Sequence, residues 1–399
     1  MNNVAVDVPT VDFDFYDPSF TNDPYPVIEA IRGTGRMVRH ETAGHFILTS
    51  YRDCARAMGQ GDLFAADVAN IETLFGGPPF AGMEGKRHSD FKSIWARDLR
   101  RKTVAEHQEM IGQIVATATA DLIERVRSGE VVDAVAAFTR SIPTIVIATL
   151  MNLPKERVPE FIAWTDQMGG IMEGRDDPSP RARELVATGL EATGEMNRFV
   201  GTIVEDRKKH PGDDLVSRIV HTEVPVTLAE TISANTQLVF AGNETTSKLM
   251  GLSLVALAAH PEQRDELRRD RSLIPQAIEE IHRWTSVKTW SIRFLKADAE
   301  IGGEVLPKGT TLMAMQGAAN RDPERWENPG VLDIHRAAKA HLGFGTGPHT
   351  CMGLNLARLE VATVLNRLLD EIPEWEVNNV DYGRNSMIRG PVEIPVSLS

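Results

Sequence analysis

Apolar residues recur along the chain at two spacings. From about residue 103 onward the helical interval dominates: within 103–127 the apolar positions include Ile111, Ile114, Val115, Ala118, Leu122 and Val126, and 227–259 repeats the pattern. Pro154, Pro211, Pro261 and Pro323 punctuate such runs. Extended pieces are shorter. Met37-Val38-Arg39 and Phe46-Ile47-Leu48 flank Thr42-Ala43-Gly44, predicting a hairpin over 36–50, and further extended segments are expected near 299–314 and 391–398. The pattern predicts a mainly α protein with a small β-sheet lobe built from both ends of the chain. Its longest helix spans 227–259. Thr227 and Glu230 form a capping box at its start, and Pro261 stops it. At ~1.5 Å per residue such a helix is about 48 Å long, enough to cross the molecule.

Composition narrows the class. The 399 residues are 42% hydrophobic, with no linker-like stretch and no repeat, so a single domain over 1–399 is expected. A net charge of −13 argues against nucleic acid as the main partner. Two cysteines give no disulfide framework, which fits a reducing cytoplasm. Met1 to Phe20 carries Asp7, Asp12, Asp14 and Asp17 where a leader would be basic and then apolar, so neither signal peptide nor membrane anchor is expected there. No later run reaches the ~18 apolar residues of a spanning helix.

Chemistry enters at Phe344-Gly345-Thr346-Gly347-Pro348-His349-Thr350-Cys351-Met352-Gly353. A lone thiol stands in a glycine-rich loop just before a helix-forming segment. The glycines allow close backbone approach to a flat ligand and leave N–H groups free to hold the sulfur as thiolate. A structural zinc site is a poor alternative, since the other cysteine, Cys54, is remote and no CxxC or HxxxH spacing lies near Cys351. The pattern FGxGxHxCxG resembles the haem-ligand loop of the cytochrome P-450 family of haem-thiolate monooxygenases, in its bacterial soluble form.

That resemblance implies a mainly helical fold with a long central helix over a haem b (iron protoporphyrin IX), with Cys351 as the iron ligand and Phe344, Gly345 and Gly353 shaping the loop. In the long helix, Ala241-Gly242-Asn243-Glu244-Thr245-Thr246 resembles the family's oxygen-binding groove. Gly and Thr weaken a helix locally, and an opening there would make room for dioxygen and water. By the same resemblance Ala241 lies against the haem, Glu244 is the acid and Thr245 the alcohol of a proton relay. Glu280-Ile281-His282-Arg283 resembles the family's ExxR pair, with Arg336 as third member, a buried structural lock. Haem propionates would be met by His88, Lys92, Arg293 and His349. An arginine is more usual at the position of Lys92, and lysine offers a point charge without the bidentate fork.

Between Glu84 and Lys102 seven basic residues, among them Lys92, Arg97, Arg100 and Arg101, face three acids. This is either a solvated helix face or, as the resemblance implies, the docking face for an electron donor. With no nucleotide-binding fingerprint and no fused reductase, electrons from NAD(P)H are expected through a separate acidic ferredoxin or flavodoxin-type protein. The function implied is insertion of one oxygen atom from O2 into a small apolar substrate. The alternatives are a peroxide-driven peroxygenase and a haem gas sensor. The relay pair and the basic face speak against the first, and a sensor needs no relay. Phe75, Phe80, Met172, Leu238, Val287, Trp290 and Ile388 are the expected pocket walls, suggesting a terpenoid or an alkyl- or alkoxy-substituted aromatic, hydroxylated or O-dealkylated. Lys288 leaves an aromatic acid open.

Overall fold

The computed structural model describes residues 7–175, 177 and 179–398. The expectation of no leader over Met1–Phe20 falls in part on residues outside this set. No helix among the described residues is long and apolar enough to cross a membrane.

The central helix runs unbroken over Leu228–Ala259. Thr227 Oγ1 accepts the Glu230 N–H at 3.2 Å while the Glu230 carboxylate accepts the Thr227 N–H at 2.8 Å, so both halves of the expected capping box form. At the far end His260 Nδ1 donates to the Ala256 carbonyl at 2.8 Å before the next helix, Pro261–Arg269, begins. Helices Ser141–Leu150, Val158–Gly174, Pro180–Lys209, Ile274–Thr285 and Leu354–Glu371 surround it. That is why it is apolar on several faces, as a core helix must be.

Its two halves belong to different apolar clusters. Ala234, Leu238, Val239 and Phe240 join Phe161, Phe199 and Trp164, whereas Leu249, Leu252, Leu254 and Leu257 join Ile278, Ile281 and Val361. The polar stretch Ala241–Thr246 is the seam between them. A cavity opens there.

The run expected as one helix from 103 is divided into Arg101–Glu106 and Gln108–Arg127. At the break the His107 N–H turns to Val104 O at 3.0 Å, three residues back, so apolar periodicity continues through a tightened turn.

The predicted hairpin is present, with Met37 opposite Leu48 and Arg39 opposite Phe46. Its turn is closed by Gly44, at φ +71°, whose N–H donates to His40 O at 2.9 Å. Among the described residues the main sheet has six strands in the order Thr10–Val11, Met37–His40, Phe46–Leu48, Thr311–Ala314, Ser291–Leu295, Phe64–Ala66. The expected single lobe needs correction. Pro395–Leu398 pairs with Trp375–Val377 and Val132–Asp133 in a separate three-stranded sheet, and Ala299–Ile301 with Glu304–Leu306 forms its own hairpin. Extended segments could be found by pattern, but their partners are set by packing over long sequence separations.

Candidate functional site

The thiol loop is built by backbone contacts. Gly345 and Gly347 take φ of +72° and +69°, a left-handed conformation that glycine adopts without cost. The Cys351 N–H donates to Phe344 O at 2.8 Å, closing the loop. A Cβ on Gly347 would stand 2.7 Å from the Cα of Gly59, so the loop is pressed against the end of helix Tyr51–Gly59. Lys92 Nζ donates to Pro348 O at 2.7 Å and Thr350 O at 2.8 Å. Two of its three protons therefore brace the loop, a role distinct from the propionate contact expected of it.

Cys351 is open to the cavity, not to bulk water. Burial foremost raises its thiol pKa, against the N–H groups of Gly353 and Leu354 that point at the sulfur and the charges of Lys92 and Arg358. A bound cation at the sulfur would reverse the effect of burial and leave donors already in place for a thiolate.

Across a cavity of ≈ 400 Å³ stands the central helix, contributing Leu238, Ala241, Gly242, Thr245, Thr246 and Leu249 at helical spacing. The expected opening of this helix is not seen. Thr245 Oγ1 donates to Ala241 O at 3.1 Å, and Gly242 has a packing reason: a Cβ there would lie 3.0 Å from the Ile147 side chain. Glu244 points away from the cavity, its Oε1 3.8 Å from Lys248 Nζ, which in turn donates to Pro391 O at 3.0 Å. Thr245 therefore faces the cavity and Glu244 stands behind it.

Donors gather at one edge. Arg293 is half-buried at the cavity wall, with Nη1 on the Ile292 carbonyl at 2.8 Å and no carboxylate within ion-pair distance among the described residues. His349 Nε2 is buried without a hydrogen-bond partner; Glu84 Oε2 lies 3.6 Å away, too far for one. His88 packs against His349 with ring centres 4.1 Å apart and the ring planes tilted by 38°. Burial first, then His349 and Lys92, lowers its pKa to about 4, so it is neutral.

The Cytochrome P450 family model matches residues 42–382. The chain belongs to this family. It is 29% identical over 407 residues to the polyketide biosynthesis cytochrome P450 PksS of Bacillus subtilis, covering 95% of this chain and 97% of that one. It is 31% identical over 320 residues to 6-deoxyerythronolide B hydroxylase of Saccharopolyspora erythraea, covering 78% and 76%. The structure of cytochrome P450 CYP109Q5 from Chondromyces apiculatus superposes with a TM-score of 0.84 at 29% identity, covering 97% and 99%. The protein is accordingly a cytochrome P450 monooxygenase, and the family implies a haem cofactor and use of dioxygen. The residues present fit that group. One edge of the cavity holds a cation without an acidic partner and an orphaned buried donor suited to carboxylates, and its floor holds a thiol with N–H groups aimed at the sulfur.

Glu280 and Arg283 of the ExxR pair are buried, and Arg336 is partly buried beside them. Arg283 makes two hydrogen bonds of 2.7 Å to Glu280, and Arg336 Nε reaches Glu280 Oε1 at 2.9 Å. Arg283 Nη1 also donates to Asn320 O and Pro329 O, at 2.8 and 2.9 Å, fixing the segment that leads to the thiol loop. A second clamp was not read from the sequence. Arg358, on the helix after Cys351, binds Glu279 with bonds of 2.7 and 2.6 Å. Burial would raise the Glu279 carboxyl, yet His341 and Arg358 bring it down to about 2. An i,i+3 or i,i+4 rule could not find it, because the partners are 79 residues apart.

Every expected haem-contact residue lines the cavity: His88, Lys92, Ala241, Arg293, Phe344, Gly345, His349, Cys351 and Gly353. Of the expected substrate walls, Phe80, Leu238 and Val287 do so, but Phe75, Met172, Trp290 and Ile388 do not. Phe75 packs on Phe240 at 5.7 Å. Met172 lies between the two apolar clusters, and Ile388 is core. Trp290 turns toward Phe15, 5.8 Å away, because strand alternation sends Ser291 and Arg293 into the cavity and Trp290 to the other face. Lys288, the residue that left an aromatic acid open, also lines the cavity, and missed wall residues include Gln237, Thr246 and Glu360. Glu360 follows Gly353, Leu356 and Ala357 at helical spacing, a pattern that could have revealed it; burial alone raises its carboxyl well above the ordinary pKa.

The basic segment sits on the thiol side, tied there by Lys92 and by Asn355 Nδ2 donating to Leu99 O at 3.1 Å. Arg87 is paired with Glu230 and Lys86 with Asp90, whereas Arg97, Arg100 and Arg101 are exposed.

Proposed function

We propose that this monooxygenase acts as one unit in the cytoplasm on a small, largely apolar organic molecule, by hydroxylation or O-dealkylation. Its electrons come from NAD(P)H through a separate ferredoxin or flavodoxin-type protein. The observation that carries the reading is a thiol loop and a threonine on facing walls of one cavity whose lining includes the apolar side chains of Phe80, Ile147, Leu238, Val287 and Leu249. Bound haem supplies the iron at which dioxygen is reduced and split. The chain supplies the rest. Gly353 and Leu354 N–H groups hold the Cys351 sulfur as thiolate, whose electron donation favours O–O cleavage in this family. Arg293 and His349 bind the propionates and fix the cofactor's orientation. Thr245 Oγ1 exchanges its bond to Ala241 O for a partner in the cavity and passes a proton inward, and Glu244 resupplies it from behind. The apolar walls exclude bulk water from the reacting carbon. A carbon hydroxylated beside an ether oxygen gives a hemiacetal, which collapses to an alcohol or phenol plus aldehyde.

Arg97, Arg100 and Arg101 support an acidic donor, since they are exposed and lie on the thiol side of the molecule. The reading is tested by loading the protein with haem and recording the reduced carbon monoxide complex. Turnover with a ferredoxin system is then compared with turnover on peroxide across a panel of terpenes, phenolic ethers and benzoates. A red-shifted thiolate band with product only under electron supply supports it. Product with peroxide alone moves the protein to the peroxygenase reading.

A further inference from the structure

The cavity wall carries one cation that neither the thiol side nor the haem edge employs. Lys288 lies in a short segment clamped between two turns of chain: Thr289 N–H donates to Met387 O at 3.0 Å, Arg389 N–H donates to Val287 O at 2.8 Å, and Lys288 itself bridges Ile388. The clamp fixes the backbone and sends the side chain into the cavity beside Val287. A lysine in such a place needs a counter-ion or an arrangement of acceptors, because an uncompensated buried charge is costly. The other cations nearby are accounted for. Lys92 holds loop carbonyls, and Arg175 is 3.0 Å from Asp67. Arg293 is at the propionate edge. Among the described residues Lys288 has no ion pair or hydrogen bond through its amine, and no acid offsets its charge. Burial first, then repulsion from Arg293 and Arg175, lowers its pKa to about 8, which leaves it mostly protonated at neutral pH.

Resting on the monooxygenase reading above, we infer that Lys288 is the anchor for a substrate carboxylate, so that the preferred substrates are small aromatic or alicyclic acids held with their apolar body against Val287, Leu238 and Phe80. The ammonium and carboxylate neutralise one another in a low-dielectric site, where such a charge-assisted bond is strongest. The apolar body buries the remaining surface and presents the carbon far from the carboxylate to the Thr245 wall. A neutral isostere would leave the ammonium uncompensated, so acids are selected over their esters by the cost of that unpaired charge.

The test uses the haem-loaded enzyme with 4-methoxybenzoate, 4-ethylbenzoate and cyclohexanecarboxylate, each beside its methyl ester. Binding is read by calorimetry and by the absorbance shift. Wild type should bind the acids more tightly than the esters. Lys288→Met, which keeps a stem of similar shape and removes the ammonium, should weaken acid binding by about 10- to 100-fold and leave or improve ester binding. Lys288→Arg should retain most of the acid preference. Equal affinity of acid and ester in wild type, or an unchanged acid affinity in Lys288→Met, would overturn the assignment. So would loss of haem retention in Lys288→Met with acid selectivity intact, since that would give the lysine to the cofactor's carboxylates. Failure of the monooxygenase reading itself is recorded separately, as absence of the thiolate carbon monoxide band in wild type.

Discussion

The two walls of the cavity are built by different means. On the thiol side, backbone and side chain interlock: Glu280 binds Arg283 and Arg336, Arg358 binds Glu279, Lys92 holds two loop carbonyls, and Gly347 touches Gly59. On the facing side one long helix and a clamped strand end present single side chains to open space, while ties of the helix such as Asn243 Nδ2 to Thr165 Oγ1 at 2.6 Å and Lys248 Nζ to Pro391 O at 3.0 Å are made by side chains that do not line the cavity. A wall tied by hydrogen bonds at many points tolerates almost no change in residue type. A wall of separate side chains can vary in each without disturbing the rest, which is what differing substrates require.

The contrast can be broken most severely at its centre. Cys351→Ala should abolish the red-shifted carbon monoxide band and all turnover; a retained wild-type band would remove Cys351 as the ligand. Next comes the lock. Glu280→Ala strands Arg283 in the interior, and losing one member of a buried pair costs ~3–5 kcal/mol. Melting temperature and haem content should both fall. The matched change on the facing wall, Leu238→Ala, should cost less than about 2 kcal/mol, below the usual range for a packed leucine, because that side chain already borders open volume. Equal losses in the two variants, measured by chemical denaturation, would erase the distinction between the walls.

Thr245→Ala sharpens the comparison from the other side. It should fold normally and consume NAD(P)H, but divert electrons into hydrogen peroxide. Product per NAD(P)H is expected to fall by roughly 10- to 100-fold, at or below the low end for positioned proton transfer, because water can partly replace one hydroxyl. Since Thr245 Oγ1 already bonds Ala241 O at 3.1 Å, full coupling in the variant would reduce its role to that intrahelical contact. The smallest effect is expected outside the cavity. Reversing Arg97, Arg100 and Arg101 to glutamate should slow reduction by the donor protein about tenfold at low salt, with substrate affinity unchanged. Stopped-flow reduction across a salt series checks this, since steering is screened over a Debye length of ~8–10 Å.

The thiol side was legible because its chemistry is local in sequence. Gly345, Gly347, His349 and Cys351 lie within one loop, Glu280 and Arg283 within one helical turn, and Thr227 with Glu230 caps one helix end. The substrate wall was not. Phe75, Met172, Trp290 and Ile388 are apolar and lie in the right segments, but apolar character alone does not say whether a side chain meets the cavity or the core. The Glu279–Arg358 clamp and the separate sheet of Pro395–Leu398 with Val132–Asp133 lay outside the pattern for a related reason: both join partners far apart along the chain.

The sequence by itself determined the mainly helical class, the capped central helix, the thiol loop and the buried pair beneath it, since each is written in residue types a few positions apart. Only the tertiary structure decided that the central helix stays closed at Gly242, because it is the packing of Ile147 that gives that glycine its place. It decided too that Glu244 stands behind Thr245 and that Lys288 enters the cavity without an acid to meet it. Short-range spacing fixes which side chains share a turn or a loop. Which of them face a common space depends on the packing of elements hundreds of residues apart, and that is settled only when the chain folds.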